Sequence, residues 1–578
     1  MNKKVDMVSV PKKSFWNLSI PLIGFCIFNA FYGIVDMVWI SQISIHASFA
    51  VGISIPFVSL IFAFGDSIGM GTNSLMSRFM GADDYENAYN TLIHGLLLSN
   101  IIWVLIVICA LFTQGLLYDV NQSESYLLVW DYLIPIITFA YIFIMLNVFS
   151  ETFQAEGNSK IPTILMISSN ILNIILDPIF IFTLHLGIKG AAYTTVLSSM
   201  IPFIIFLYLY TSGKTKVPLS KKYFKFRPYI ITEIFKVALP NFLDSGLWAF
   251  SSSFINGILL ITMGEIGPIL YSVSNKIRTL LSSPTRGYGG ALMSVTGHLF
   301  GGQQFDKLNE MYKYVLKVSI ITAVIVMIGF MIIRNYAYKF FSITGMESQI
   351  LWIAIFGIFI IISISIATIS SKMLDGFGKS MYSLLFTIIK IIMQVSIIFV
   401  LFKILANASC VLIGITVSEV VFAIIYYLFL RYLFNNFDKQ YENKDVVKKF
   451  DADNDSGFLK KIKKYDKTIK NNSIQRKILY IIELIAMLIV VIEIILSPIS
   501  FNDYSMFASG IICLTIGTVS ILLLKKIDQP KISLIGFMIS ALLIFTFMTV
   551  YGNSNILLFI ITQILIIFII IILKKLKS

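Results

Sequence analysis

Charge is scarce in this chain: Asp, Glu, Lys and Arg make up 13% of its 578 residues, against 57% hydrophobic residues and a mean hydropathy of +0.85. A soluble globule carries about 25% charged residues, so the composition excludes a water-exposed fold and describes an integral membrane protein. Histidine and cysteine are equally sparse, at four each, and none stands beside another. His46, His94, His185 and His298 are dispersed, and Cys26, Cys109, Cys410 and Cys513 sit singly in separate apolar runs. That scatter argues against a metal centre, a disulfide framework or an enzyme's nucleophile and base. No cofactor is expected, and no enzyme. Phosphate-loop chemistry is missing too, since Gly378-Lys379-Ser380 has Met373 where the motif needs its first glycine. Asp451, Asp453 and Asp455 imitate the opening of a calcium loop, but Ser456 replaces the turn glycine and Ile462 the bidentate glutamate.

Positive charge is not lacking, at a formal net of +14, yet its distribution argues against nucleic acid. Lys214, Lys216, Lys221, Lys222, Lys225 and Arg227 crowd one connection, while the stretches 41–48 and 115–129 hold no Lys or Arg. Under the positive-inside rule this alternation puts the N-terminus and the 213–229 loop in the cytoplasm of a plasma or inner membrane protein. Lys574, Lys575 and Lys577 place the C-terminus there as well.

What the sequence does have is long apolar runs. At ~1.5 Å rise per residue, runs of about 20 cross a ~30 Å hydrocarbon core as helices, whereas barrel strands would be half as long and would alternate. Spans are predicted near 14–40, 49–78, 87–113, 130–155, 161–185 and 187–211, then near 230–262, 266–300, 310–334, 348–377, 379–404 and 407–436. A stretch with eleven Lys and one Arg against seven Asp or Glu follows, and four shorter runs close the chain near 478–497, 506–524, 532–550 and 555–573.

The first twelve spans are two copies of six. Ser74 to Tyr85 parallels Ser294 to Phe305 at an offset of 220, Pro21 parallels Pro240 at 219, and Gln154 to Asn158 parallels Asp375 to Lys379 at 221. Six spans per copy start both halves on the same side, which makes the repeats parallel about an axis along the membrane normal. The fold class expected is therefore all-α and polytopic, with two six-helix lobes related by a pseudo-two-fold axis and four further C-terminal transmembrane helices. The divisions are an N-terminal lobe over 1–212, an inter-lobe loop over 213–229, a C-terminal lobe over 230–436, a charged linker over 437–477 and a final membrane region over 478–578. Two lobes with a cleft between them permit alternating access, and the core is expected to be monomeric.

Two aspartates lie inside predicted spans: Asp36 in Tyr-Gly-Ile-Val-Asp-Met-Val-Trp, and Asp177 in Leu-Asn-Ile-Ile-Leu-Asp-Pro-Ile-Phe. An ionisable group at bilayer depth costs several kcal/mol and marks an ion or proton site by default. In the other repeat Asp36 corresponds to Ile255 and Asp177 to apolar residues near 397–400, so both acids belong to one lobe alone. Asn173 precedes Asp177 by four residues and shares its helical face. The bland alternative is that Asp177, followed by Pro178, merely bonds a broken helix. Asp244 is the one acid deep in the early C-terminal lobe, and Lys390 and Glu419 are placed to neutralise each other as buried charges must. Pro21 interrupts the first span and permits it to bend.

On Ile20-Pro21 with Tyr32, Asp36 and Trp39, on Ser77 to Ala82, on Glu156-Gly157-Asn158, and on Leu172 to Pro178 followed by Gly187 to Ala192, the chain over about 14–436 resembles the multidrug and toxic compound extrusion (MATE) transporters, most closely their DinF-like prokaryotic branch. The resemblance implies an antiporter that expels organic, often cationic compounds in exchange for H+ or Na+. It implies coupling at Asp36, Asn173, Asp177 and Thr195, with Na+ as the one metal ion such a site would take. It implies also that Tyr32 and Tyr132 line the same cavity and that Pro21 lets the first helix bend, while the C-lobe carboxylates of other branches have no clear match here unless Asp244 substitutes for one. Ser150 stands where the family pattern has Asn, Arg278 where it is usually acidic, and the four last spans lie outside it. The expected partners are small organic molecules and the bilayer. A flippase for lipids or lipid-linked sugars, with Lys276, Arg278 and Arg286 receiving phosphate, is the alternative; a membrane scaffold or enzyme built on the C-terminal spans is a further one.

Overall fold

A computed structural model describes residues 7–43, 45–117, 124–217, 224–341 and 343–441. The linker beyond 441 and the four expected C-terminal spans lie outside the described residues. Among those described there is no strand. The first lobe consists of α1 (Pro11–Ser41), α2 (Ile45–Gly81), α3 (Tyr85–Leu117), α4 (Glu124–Thr138), α5 (Ala140–Ala155), α6 (Lys160–Pro178) and α7 (Gly187–Thr211). The second consists of α8 (Pro228–Met263), α9 (Ile266–Leu281), α10 (Ser283–Gly301), α11 (Phe305–Phe340), α12 (Glu347–Gly376), α13 (Ser380–Leu405) and α14 (Ser409–Tyr441). The unit formed by Met1–Ile398 with Leu405–Lys444 contains both lobes except Phe399–Ile404 of α13.

By length and composition nine helices among the described residues can cross a membrane singly, and α4 with α5 make a tenth span. The 37-residue α2 and the pair α9–α10 fill the remaining two of the twelve expected places. Two predicted spans are thus broken, and proline accounts for both. Pro135 inside α4 removes a backbone donor, and four residues later Phe139 leaves helical geometry at φ −100°, ψ 15°, so that α5 departs at 48°. Pro284 in the first turn of α10 has no N–H to return to Leu280 O, and the helical run breaks at Ser282.

The lobes meet along α2, which packs on α8 and α10, and along α1, which packs on α10. Close approach here depends on missing side chains. A Cβ at Gly301 would strike the carbonyl oxygen of Arg78, one at Gly81 that of His298, and one at Gly297 the hydroxyl of Ser77. These contacts are reciprocal across the pseudo-two-fold axis, since Gly81 and Arg78 are the repeat equivalents of Gly301 and His298. Phe64 of α2 stacks on Phe242 of α8 with ring centroids 4.1 Å apart. The seam therefore closes at the end of the molecule that carries the N-terminus and the inter-lobe loop.

Candidate functional site

Helix α6 ends on Asp177-Pro178, and the chain continues for one π-helical turn, Ile179–Thr183, in which the amide of Leu184 donates to Ile179 O at 2.8 Å. Single π turns recur at functional sites because they re-aim side chains within a helix. Gly190 of α7 packs against this turn so closely that a Cβ would contact the backbone of Phe180 and Ile181. The seating brings α7 against Asp177, a fully buried carboxylate with 0% exposure.

Around Asp177 the polar groups converge. The hydroxyl of Tyr32 on α1 donates to Asn173 Oδ1 at 2.6 Å. Asn173 Nδ2 donates to Asp177 Oδ1 at 3.2 Å, and the Thr194 hydroxyl donates to the same oxygen. An Asn29–Asn170 bond of 3.3 Å ties α1 and α6 together nearby. Oxygen donors from hydroxyl, amide and carboxylate in an apolar shell form a set suited to a proton or a small hard cation; among the described residues no cluster of three or more His, Cys, Asp or Glu offers a metal centre.

Of the residues expected from sequence, Tyr32, Asn173 and Asp177 thus come together. Thr195 is not bonded to them; its hydroxyl donates to Ala191 O at 2.9 Å. Its neighbour Thr194 takes that place, one residue round the helix, which no sequence signal distinguishes. Asp36 lies on α1 one turn beyond Tyr32, and its side chain falls outside the described residues. Tyr132 is buried on α4, which packs on α2 and α7. Pro21 lies on α1, where it removes the donor to Asn17 O; the Ser159 hydroxyl reaches that oxygen at 3.4 Å and donates to Leu18 O at 2.8 Å. Asp244 is half-buried on α8, bonded to Thr387 and within the field of Lys390. Lys390 itself pairs with Glu419 at 3.1 Å and lies 4.2 Å above the Trp248 ring.

A cavity of about 330 Å³ opens between α1, at Ala30 and Gly33, and the second lobe, at Ser252, Asn256, Asn275 and Lys276. None of Tyr32, Asn173, Asp177 and Thr194 lines it.

The family model MatE matches residues 21–179, the stretch from Pro21 through Asp177. The solved structure of a MATE protein in complex with MaL6 superposes with a TM-score of 0.72 at 28% identity, over 76% of this chain and 100% of that one. Over residues 21–179 this chain carries the MATE family's domain. An outward-facing MATE multidrug resistance transporter of the MOP superfamily superposes equally well, with a TM-score of 0.71 at 27% identity, again over 76% of this chain and 100% of its own. Multidrug export protein MepA of Staphylococcus haemolyticus is 26% identical over 380 residues, 63% of this chain and 79% of that protein. MepA of Staphylococcus saprophyticus is 25% identical over 378 residues, 63% and 79% respectively. MATE proteins are transporters and not enzymes, and the two-lobe membrane fold found here is theirs.

Proposed function

We propose that this MATE protein is a multidrug exporter that exchanges H+ or Na+ for organic, cationic or amphiphilic compounds by alternating access. The observation that carries the reading is the buried Tyr32–Asn173–Asp177–Thr194 constellation, an intramembrane carboxylate whose hydrogen-bond network reaches from α6 to α7 and α1. Ion uptake there changes the charge and hydrogen bonding that tie α6 to α1, and so biases α1 between two shapes. Such an ion shifts the equilibrium only by its difference in affinity for the two states. Pro21 lets α1 bend, and Ser159 holds the freed carbonyls in one of its shapes. The basic inter-lobe loop and both termini face the cytoplasm in this reading, with the Asp177 site toward the outer half of the membrane. Relatives named as multidrug export proteins support the substrate class.

The test is efflux from proteoliposomes of a fluorescent organic cation and, separately, a labelled lipid, under imposed pH and Na+ gradients. Asp177→Asn and Asp36→Asn are each expected to lower gradient-driven efflux of the cation by about 100-fold or more, as losing an obligatory ion ligand does, while the protein remains folded in detergent. Gradient-driven export at the wild-type rate by both variants would remove the mechanism. Movement of the lipid alone would transfer the assignment to a flippase, in which Lys276 in the cavity wall receives the anionic head.

A further inference from the structure

The cavity between α1 and the second lobe has a wall whose chemistry the coupling site does not explain. Tyr271, Ser272, Asn275, Lys276 and Thr279 of α9 line it, at positions that share one side of a helix. The other side of α9, at Leu270, Val273 and Ile277, is buried with Met327 of α11 and Ile350 of α12. A helix divided in this way turns its apolar side to packing and its polar side to water or a ligand. From α8 come Ser252 and Asn256, one turn apart. From α1 come only Ala30 and Gly33, and a Cβ at Gly33 would meet no described atom within 4 Å, so the first lobe leaves room here instead of filling it.

Among the nine described residues that line the cavity, seven carry a hydrogen-bonding side chain and only Lys276 carries a charge. A lipophilic cation is recognised by aromatic faces and carboxylates. This wall offers it one tyrosine ring and an ammonium that repels it. An ammonium has three donors, so a contact within the protein still leaves it able to bind a carboxylate or phosphate. Asn256 Oδ1 is buried and no donor among the described residues reaches it, a cost that an N–H or O–H of a ligand removes. At the repeat offsets of 219–221 Lys276 falls on Ile55, Pro56 or Phe57, so its charge belongs to the second lobe alone, as Asp36 and Asp177 belong to the first. The volume of about 330 Å³ lies at the lower end for small-molecule sites, and it holds a small amphiphile or the polar end of a larger one.

We propose that this cavity binds organic amphiphiles through an acidic group: Lys276 takes a carboxylate or phosphate, and Asn256 Oδ1 accepts from an amine or hydroxyl of the same molecule. Lys276 then sets substrate specificity, selecting acids and zwitterions over cations of the same shape. The proposal rests on the exporter reading above, whose substrate class it narrows.

The experiment measures, by fluorescence anisotropy on the full chain in a non-ionic detergent, the binding of a rhodamine with a free carboxylate and of its methyl ester. The two dyes share ring system and amines and differ only in the negative charge. Wild type is expected to bind the acid about tenfold more tightly than the ester, the size of one hydrogen bond between charged groups. Lys276→Met should abolish that preference, Lys276→Arg retain it and Lys276→Glu invert it, an inversion that a packing role would not produce. Asn256→Leu is expected to weaken both dyes by about fivefold, because both keep the amines. A wild type that prefers the ester, or a preference that survives Lys276→Met, overturns the proposal. Short-chain phosphatidic acid, added as competitor, separates a lipid head group from a free organic acid: displacement of the dye at concentrations below the dye's own dissociation constant would assign the cavity to lipid and overturn the small-molecule reading. Gradient-driven efflux of both dyes from proteoliposomes is followed in parallel. Preferred binding of the acid without such efflux keeps the site and rejects the exporter, whereas efflux with equal binding of acid and ester keeps the exporter and rejects the site.

Discussion

Asp177 shows how little of a site one residue specifies. Its carboxylate is fully buried and accepts from Asn173 of α6 and Thr194 of α7, while Tyr32 of α1 holds Asn173 in place. Asn173 was legible in the sequence, because four residues on one helix share a face. Thr194 was not, since adjacent threonines differ only by the 100° that separates neighbouring side chains, and the rotation of α7 is set by Gly190 seating on the π turn. Thr194→Val is expected to weaken coupling-ion affinity by about tenfold, the loss of one hydrogen bond to a charged group, while Thr195→Val changes it by less than about twofold. Ion dependence of initial efflux rates checks both. Equal losses in the two variants would mean that α7 is rotated one residue from the position described.

At the scale of elements, glycine and proline determine what the helices do. Apolar length alone predicted twelve spans; Pro135 and Pro284 decide that two of them are broken, and a sequence scan read both as continuous because hydropathy does not register backbone donors. Where α2 crosses α10, both helices present glycine at reciprocal positions, which lets the backbones approach without side chains between them. Gly301→Ala is expected to wedge that crossing and destabilise the closed seam by about 1–3 kcal/mol, the range for overpacking a close contact. Nitroxide distances between Tyr85→Cys and Asp306→Cys read it directly, with a longer mean separation as the expected result. Gly329→Ala, with open space around its Cβ, is the control and should leave the distance unchanged.

Across the whole molecule, the chain passes from one lobe to the other through a loop that is clasped at both described ends by the first lobe. Backbone amides of Lys216 and Val217 donate to the Glu156 carboxylate at 3.0 and 3.2 Å, and the Lys216 ammonium returns to Glu156 O at 2.7 Å. Beyond it, the amide of Lys225 reaches Asn90 Oδ1 at 2.8 Å and that of Arg227 reaches His94 Nε2 at 2.9 Å. Burial pushes the Glu156 carboxyl up from 4.5 to about 7, against the pull of those amides. A folded value above the unfolded one means that docking takes up a proton, so the clasp is firmest below about 4.5 and weakens as pH rises toward 7. Hydrogen exchange at Lys216 and Val217, corrected for intrinsic base catalysis, is expected to show protection falling between pH 5 and 8, the interval about that titration, and Glu156→Gln should flatten the dependence. Protection that rises with pH in the wild type would contradict it.

The sequence by itself determined the class of molecule, the pairing of its helices into two equivalent halves and the confinement of Asp36 and Asp177 to one of them. Those properties are written in composition, in run length and in the 219–221 residue offset, none of which needs a neighbour in space. Only the tertiary structure decided which threonine meets Asp177, that Ser159 answers the carbonyls freed near Pro21, and that Asn73 and Ser294 meet across the lobe seam. Each of these depends on the rotation and crossing of whole helices. Rotation of a helix by one residue leaves hydropathy unchanged and replaces every polar partner.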